Sequence, residues 1–372
     1  MGVCNYIKKR VLCAMSGGLD STVSAMLLKE QGFEVIGITM KTWDYVSSGV
    51  DIATNKTTGC CSLDDINDAR SLCVDYDIPH YIHDIRKDFN DSVINNFIDE
   101  YMAGRTPNPC ILCNTHIKWG ALLKIADSLG CEYIATGHYA VIRKENGRYI
   151  LSSGLDATKD QSYVLWGLTQ EVLARTIFPV GGYEKTAIRQ MAMDRGYEAL
   201  AKKGESYEIC FIPDNNYRAF LSRKKDIKKG NFIDTDGVVM GTHDGFPYFT
   251  VGQRRGLGVY DTQARFVTQI NPKTNEVTLG FEKDLMRQSM IVKKVNTVKF
   301  KYDELDGMDV LANVRYRGKT SLAKITCLGN ESVRVDFYHE VKTISAGQST
   351  VFYDPNSHSD VIGGGHIHEV LK

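Results

Sequence analysis

Ser16-Gly17-Gly18-Leu19-Asp20-Ser21 follows a short apolar run, Arg10 to Met15, and opens a stretch with helical spacing, Asp20 to Gln31, closed by Gly32. A strand, a glycine turn and a helix in that order aim backbone N–H groups and the helix dipole at an anion. Gly17 and Gly18 let the backbone approach phosphate oxygens, and Ser16 and Ser21 add hydroxyl donors. Asp20 is placed to hold a magnesium ion that bridges the phosphates. The lysine of a Walker loop is missing, so this is a phosphate loop of another kind. A Gly-Gly turn alone is often only structural. The upstream strand, the two serines and the aspartate favour nucleotide binding.

Outward from the loop, the first half of the chain alternates strand and helix patterns. Phe33 to Met40 reads as a second buried strand, and Ser62-Leu63-Asp64-Asp65 as a capped helix start running toward Tyr76. His80 to Asp84 and Tyr133 to Thr136 read as strands; Asp88 to Met102, Asn114 to Leu129, Thr169 to Thr176 and Glu184 to Arg195 read as helices. Strands separated by helices predict an α/β fold, a Rossmann-like parallel sheet with helices on both faces. After about Asn231 the segments become short and β-rich, as in Gly237-Val238-Val239-Met240, Val277-Thr278-Leu279 and Ser332 to Phe337. Turn signals at Asp236-Gly237, Asp244-Gly245 and Gly329-Asn330 separate them, which predicts small barrels or sandwiches. The expected division is a catalytic domain over 1–215, a central β-rich domain over 216–284 and a C-terminal β-barrel over 285–372.

At 372 residues, two or three domains are the expectation. Lys+Arg 45 balances Asp+Glu 45, so no whole-molecule field draws in a polyanion. RNA binding would then need local patches such as Arg223-Lys224-Lys225, Lys228-Lys229, Arg254-Arg255 and Lys293-Lys294, each of which alone is more often a solvated face. Met1 to Arg10 lacks an apolar leader with a cleavage site, and no run approaches roughly 18 apolar residues. A cytoplasmic location with no membrane partner is expected. Ten cysteines in a reducing compartment point to metal, catalytic or redox roles rather than a disulfide framework. Cys4, Cys13, Cys73, Cys131 and Cys327 sit singly and read as packing residues.

Thr106-Pro107-Asn108-Pro109-Cys110-Ile111-Leu112-Cys113-Asn114 is a proline-stiffened loop that delivers two cysteines just before the helix expected from Asn114. A helix N-terminus lowers a neighbouring thiol pKa, and thiolate is the nucleophile. Half a zinc site is the competing reading. It needs a second ligand pair, and Cys60-Cys61 are adjacent rather than spaced. Further on, Glu205-Ser206-Tyr207-Glu208-Ile209-Cys210-Phe211-Ile212-Pro213 embeds a cysteine in an apolar run; alone it would be a core residue.

SGGLDS resembles the PP-loop signature of ATP pyrophosphatases, enzymes that cut ATP between its α and β phosphates and adenylate a substrate. Behind it, TPNPCILCN, ATGHYA (Ala135 to Ala140), KDQSYVLW (Lys159 to Trp166), ESYEICFIP and TVGQRRGLG (Thr250 to Gly258) follow in order. With Val314-Arg315-Tyr316-Arg317 and Ala346-Gly347-Gln348-Ser349, they resemble the tRNA-specific 2-thiouridylase (MnmA/TrmU) family over essentially the full length. The resemblance implies a tRNA-uridine 2-sulfurtransferase. Such an enzyme adenylates the C2 oxygen of the wobble uridine with ATP, then replaces it with sulfur to give 2-thiouridine, AMP and diphosphate. It further implies that Ala14, Met15, Ser16, Gly17, Gly18, Leu19, Asp20 and Ser21 hold ATP. Met40 would contact adenine through its backbone, and Gly137 would complete the nucleotide site.

By the same resemblance Cys210 corresponds to a persulfide-carrying cysteine, charged by a cysteine desulfurase or relay protein. Cys113 corresponds to a second catalytic cysteine, which assists sulfur release and closes a disulfide with Cys210. The target-base contact falls on Asn108, Pro109 and Cys110, and other tRNA contacts on His138, Lys159, Asp160, Gln161, Arg315, Tyr316 and Gln348. Acceptors expected from the family are the tRNAs for lysine, glutamate and glutamine. A base in an anticodon loop must turn outward into the pocket, which costs little in a single strand.

One departure matters: many family members carry aspartate where this chain has Cys110. Either Cys110 merely lines the base pocket, or Cys110, Cys113 and Cys210 form three thiolate ligands of an iron–sulfur cluster whose open iron holds sulfide. The persulfide relay is the preferred of the two. Cys60 and Cys61 are further candidates for accepting sulfur, and the polar stretch Thr42 to Thr58 is expected to order on tRNA. Two other functions compete. An amidating PP-loop ligase would need an ammonia source and has no use for Cys113 and Cys210; a tRNA-binding module without catalysis is disfavoured because Asp20 and both cysteines are present.

Overall fold

The computed structural model describes residues 8–43, 63–204, 209–212 and 214–371. Cys4, Cys60 and Cys61 and most of the Thr42 to Thr58 stretch lie outside the described residues. The chain divides into two compact units, Met1–Ser92 with Cys110–Asn215, and Val93–Pro109 with Asn216–Lys372.

In chain order the elements of the first half are β1 (Arg10–Ala14), α1 (Leu19–Glu30), β2 (Glu34–Lys41), α2 (Leu63–Asp75), β3 (His80–Asp84), α3 (Arg86–Phe89), α4 (Asn95–Met102), α5 (Pro109–Leu112), α6 (Trp119–Ser128) and β4 (Tyr133–Ala135). They continue with β5 (Ala140–Glu145), β6 (Arg148–Ser153), α7 (Gln170–Ala174), β7 (Thr176–Ile177), α8 (Lys185–Asp194) and α9 (Glu198–Ala201). All but α4 and the first residue of α5 belong to the first unit.

Its parallel sheet runs β3-β2-β1-β4-β7, with Leu12 opposite Ile36 on one side and Ile134 on the other. A central strand is covered on both faces and therefore reads as an unbroken apolar run; Val11, Leu12 and Cys13 are fully buried. Val11 and Cys13 share a core with Val23 and Met26 of α1, Ala69 and Leu72 of α2, and Ile188 and Ala192 of α8. Each large aliphatic side chain so buried contributes about 1.5–3 kcal/mol. The chain goes to β2 on one side of β1 and to β4 on the other, and the crevice beyond the carboxyl end of such a central strand is where α/β sheets take ligands. Ser16 to Ser21 sits there.

Three local features depart from the sequence reading. The helix expected over 88–102 is α3, a π-helical turn over Asn90–Ile94, and α4; the unit boundary falls within that turn. The helix expected from Asn114 already starts at Pro109, because proline has φ preset for a first helical position and no N–H to leave unpaired there. It passes through a second π-helical stretch, Cys113–Lys118, into α6. The third is the β5–β6 hairpin, turned by Asn146 (φ 49°) and Gly147 (φ 79°). Asn-Gly is the strongest short-range hairpin signal, and Asn146-Gly147 is the turn the strand-and-helix reading leaves out.

In the second unit, Phe97 of α4 packs edge-on against Phe220, and Tyr101 stacks on Tyr217, both on α10 (Tyr217–Lys224). The strands β8 (Gly230–Ile233), β9 (Val239–His243), β10 (Phe266–Asn271) and β11 (Glu276–Gly280) form a sheet in the order β10-β11-β8-β9 over Phe232, Val267, Val277 and Leu279. Finally β12 (Met286–Thr297), β13 (Asp309–Asn313), β14 (Ser321–Gly329), β15 (Ser332–Lys342), β16 (Ser349–Tyr353) and β17 (Val361–Leu371) close a barrel in the order β12-β15-β14-β13-β16-β17. Val292, Ala312, Ile325, Val335, Phe352 and Ile367 lie in its core. Among the described residues no helix is long and apolar enough to cross a membrane.

Candidate active site

The phosphate loop is closed by its own serine. Ser21 Oγ donates to Gly18 O at 3.0 Å, accepts from Ser16 N at 3.1 Å and lies 3.2 Å from Ser16 Oγ. The hydroxyl expected to face phosphate thus pins the turn. The glycines divide the labour in a way spacing alone does not reveal. A Cβ on Gly17 (φ +68°) would fall 2.0 Å from Asp65 O, so this glycine is required by the backbone of α2. A Cβ on Gly18 would meet only Ser16 Oγ, at 3.5 Å. Gly18 is the N-cap of α1, with extended backbone and no side-chain cap, so the first N–H groups of the helix are left for an anion.

Asp20 is held from two directions. Tyr139 donates its hydroxyl to Asp20 Oδ1 at 2.7 Å, and Lys185 Nζ lies 2.6 Å from Oδ1 and 2.8 Å from Oδ2. A Cβ on Gly137 would fall 2.8 Å from Asp20 C and Ser21 N, so the ATGHYA segment can lie against the start of α1 only with glycine there. On the other flank Lys203 donates to Gly17 O at 3.2 Å and pairs with Asp65 and Asp68 at 2.7 and 2.8 Å. Sequence reasoning missed Tyr139, Lys185 and Lys203. None stands in a phosphate-loop pattern, and each reaches the loop from more than about a hundred positions away. Replacing Tyr139 by phenylalanine removes the hydroxyl from a half-exposed carboxylate and is expected to cost about 1 kcal/mol of stability, readable by urea unfolding.

Of the expected tRNA contacts in this unit, Asp160 and Gln161 turn oxygens onto the protein. Asp160 Oδ1 accepts from the Gly154 and Ser162 N–H groups, Asp160 Oδ2 accepts from Ser162 Oγ at 2.8 Å, and Gln161 Oε1 accepts from Tyr139 N at 2.9 Å. These two side chains shape the loop that follows Lys159. His138 lies among Trp119 and Phe178, with Thr136 Oγ1 2.7 Å from its Nδ1. Desolvation, aided by the Lys118 charge, lowers its pKa to about 3, so it is a neutral hydrogen-bonding ring. Because the folded value is the lower one, stability falls as pH drops below the ordinary histidine value of about 6.5. His138→Gln is expected to flatten that decline, measured as urea midpoints at pH 7 and pH 5.

The cysteines occupy unlike surroundings. Cys113 is buried at the start of the second π-helical stretch, a helix type frequent at functional sites. Asn114 beside it donates Nδ2 to Val164 O at 3.1 Å and so ties this turn to the KDQSYVLW segment. Cys210 is partly exposed, and its neighbour Phe211 packs edge-on against Phe89 at 5.8 Å. Phe89 closes α3, which packs on the Cys113 turn. The Cys113 turn and the neighbour of Cys210 therefore both pack on α3. Cys110, in the first turn of α5, is exposed, yet the protein around it pushes its thiol pKa up by desolvation, with Lys118 opposing. The expected helix-end thiolate at Cys110 is not what this environment favours. Among the described residues no three His, Cys, Asp or Glu side chains gather as a metal-holding group.

The second unit brings together residues that are far apart in sequence. Thr106 N donates to Ala346 O at 3.0 Å, and Gln348 Nε2 reaches Pro107 O at 3.4 Å. Gly347 (φ +90°) permits this approach, since a Cβ there would lie 2.9 Å from Arg105 Cβ. The segment leading to Asn108 and Pro109 is thus rooted on the Ala346–Ser349 turn. Arg315 and Tyr316 sit on a turn closed by Gly318 N to Arg315 O at 2.9 Å. Tyr316 is 38% exposed with Arg317 5.4 Å over its ring, a surface on which an unpaired base can stack.

Comparison with known proteins places these features in a lineage. Residues 9–214 match the model described as tRNA methyl transferase HUP domain, 218–281 the tRNA methyl transferase PRC-barrel domain, and 287–367 the aminomethyltransferase beta-barrel domain. The chain is 52% identical to the tRNA-specific 2-thiouridylase MnmA of Cytophaga hutchinsonii, over 98% of this chain and 99% of that one. It is 54% identical to the protein of that name from Amoebophilus asiaticus, over 98% and 96%. Among solved structures, a 4-thiouridine synthetase–RNA complex with bound ATP aligns over 58% of this chain and 50% of that one, at 16% identity and a TM-score of 0.36, too slight a likeness to argue from.

Proposed function

The chain belongs to the tRNA-specific 2-thiouridylase family, and from that premise we propose that it exchanges the C2 oxygen of a tRNA wobble uridine for sulfur at the cost of ATP. One observation supports the reading most: the first unit joins an uncapped helix start beyond its central strand with Cys113 and Cys210, on segments that both pack against α3. A carbonyl oxygen on a pyrimidine is a poor leaving group. Attack of that oxygen on the α-phosphorus expels diphosphate with its bonding electron pair, the uridine N3 proton passes to water, and the oxygen becomes part of AMP, a good leaving group. Loop residues Ala14 to Ser21, with Met40 and Gly137, are the proposed ATP contacts. Asp20 with phosphate oxygens suits magnesium, which needs only one or two carboxylates; when bound it would neutralise phosphate charge.

Cys210 would carry a persulfide loaded by a cysteine desulfurase or relay protein. Its terminal sulfur bonds to C2 and AMP departs; Cys113 thiolate then attacks Cys210 Sγ. The S–S electron pair stays with the sulfur on C2, leaving 2-thiouridine and a Cys113–Cys210 disulfide that an external thiol must reduce. Asn108, Pro109 and Cys110 are the proposed base contacts, with His138, Lys159, Arg315, Tyr316 and Gln348 toward the tRNA; the cytoplasm is the compartment that holds it. The experiment is mass spectrometry of unmodified tRNA for lysine, glutamate or glutamine after incubation with ATP, magnesium and a persulfide donor. A sulfur-for-oxygen mass gain at the wobble uridine is expected. A methyl gain, which the name of the matched models would suggest, or no change defeats the reading.

A further inference from the structure

The phosphate loop carries a carboxylate where a polyanion must dock and has no lysine of its own. The fold delivers one from elsewhere. Lys185, the first residue of α8, has a side chain only 9% exposed and places Nζ within 2.8 Å of both Asp20 oxygens. Its position is set independently of that pair: its backbone N–H donates to Asp156 Oδ2 at 3.0 Å, and Nζ lies 5.6 Å from the centroid of the Tyr139 ring. Taking an ammonium out of water costs several kcal/mol, and a buried ion pair seldom outdoes apolar packing of the same volume. As a device for stability the pair gains little. Beside an anion site it has a use, because a docked triphosphate would otherwise confront a bare carboxylate at the start of α1.

We infer that Lys185 binds the β- and γ-phosphates of ATP and then the departing diphosphate, exchanging the Asp20 carboxylate for phosphate oxygens when nucleotide docks. The inference rests on the loop being an ATP site and adds to that reading the group that recognises the leaving end. When the bond between the α-phosphorus and the bridging oxygen breaks, the electron pair collects on that oxygen. The Lys185 ammonium donates a hydrogen bond to the diphosphate carrying it without giving up its proton. Tyr139 keeps its hydroxyl on Asp20 meanwhile, so the carboxylate is not left unpartnered.

The full-length chain is titrated calorimetrically with ATP, inorganic diphosphate and AMP in metal-free buffer. Lys185→Met is expected to weaken ATP and diphosphate about tenfold or more, the worth of one charge-assisted contact, and to leave AMP within about twofold. Lys185→Arg keeps the charge and is expected to retain diphosphate binding. Equal weakening of all three ligands, or of none, overturns the inference. Should Lys185→Met fail to fold, Asp20→Asn decides: relieved of its carboxylate, the lysine should hold metal-free diphosphate about threefold more tightly, and unchanged or weaker binding overturns the proposal. A wild-type chain that binds AMP but not diphosphate also overturns it, whereas one that binds none of the three defeats the ATP-site reading itself.

Discussion

With Cys210 replaced by serine, the enzyme will still consume ATP in the presence of tRNA but will transfer sulfur from a persulfide donor on the order of a millionfold more slowly, the scale on which removal of a nucleophile is felt. Cys210 is partly exposed, so the substitution barely touches the core. Cys113 is buried, and a serine hydroxyl there costs about 1–3 kcal/mol if unpaired; its variant must be compared at a temperature where it remains folded. If the two cysteines act in sequence on one sulfur, as proposed, the double variant should be no worse than either single one. Single-turnover transfer from a labelled persulfide, scored beside AMP formation, separates activation from sulfur delivery. Near-normal transfer by both variants would end the relay.

Gly17→Ala is the largest structural effect expected. The left-handed backbone at φ +68° costs a non-glycine residue about 1–2 kcal/mol. The added methyl would also fall 2.0 Å from Asp65 O and 2.6 Å from Asp65 Cα and C. Backbone atoms cannot rotate away, so α2 must shift and drag on the Lys203 contacts to Gly17, Asp65 and Asp68. Together these should cost about 3 kcal/mol or more and abolish ATP binding. Gly18→Ala is the control. The site has room for its Cβ, and swapping an N-cap glycine for alanine costs about 1 kcal/mol or less. Thermal melts with and without ATP distinguish them: the Gly17 variant melts early under both conditions, and the Gly18 variant loses mainly the rise on adding nucleotide.

How much of this could be read in advance follows from the range of each signal. β1, the loop and α1 are contiguous, and the apolar run, glycines and helical spacing display them in under about thirty residues. β2, β3 and β4 were legible in the same way. The ion pair that holds Asp20 was not, because Lys185 opens an ordinary amphipathic helix and only tertiary packing gives it meaning. The same is true of Phe89 under Phe211, a contact that the apolar run around Cys210 does not reveal. The sequence starts the cysteine-bearing helix too late if Pro109 is read as a loop stiffener, because proline also suits a first helical position. Asp160 and Gln161 show the converse limit: a motif reveals that residues matter, not whether their side chains face a ligand or their own backbone.

The excursion of α4 into the second unit sets an order of events during synthesis. Phe97, Ile98 and Tyr101 are buried in the finished protein, and the partners Tyr217 and Phe220 leave the ribosome about a hundred residues later. At translation rates of about 5–20 residues per second, this apolar stripe waits on the order of ten seconds without its cover. The parallel sheet of the first unit is under construction on either side of it meanwhile. A nascent chain arrested between α4 and α10 therefore presents an aromatic surface with nothing to dock on, and that interval is when a chaperone would be most needed.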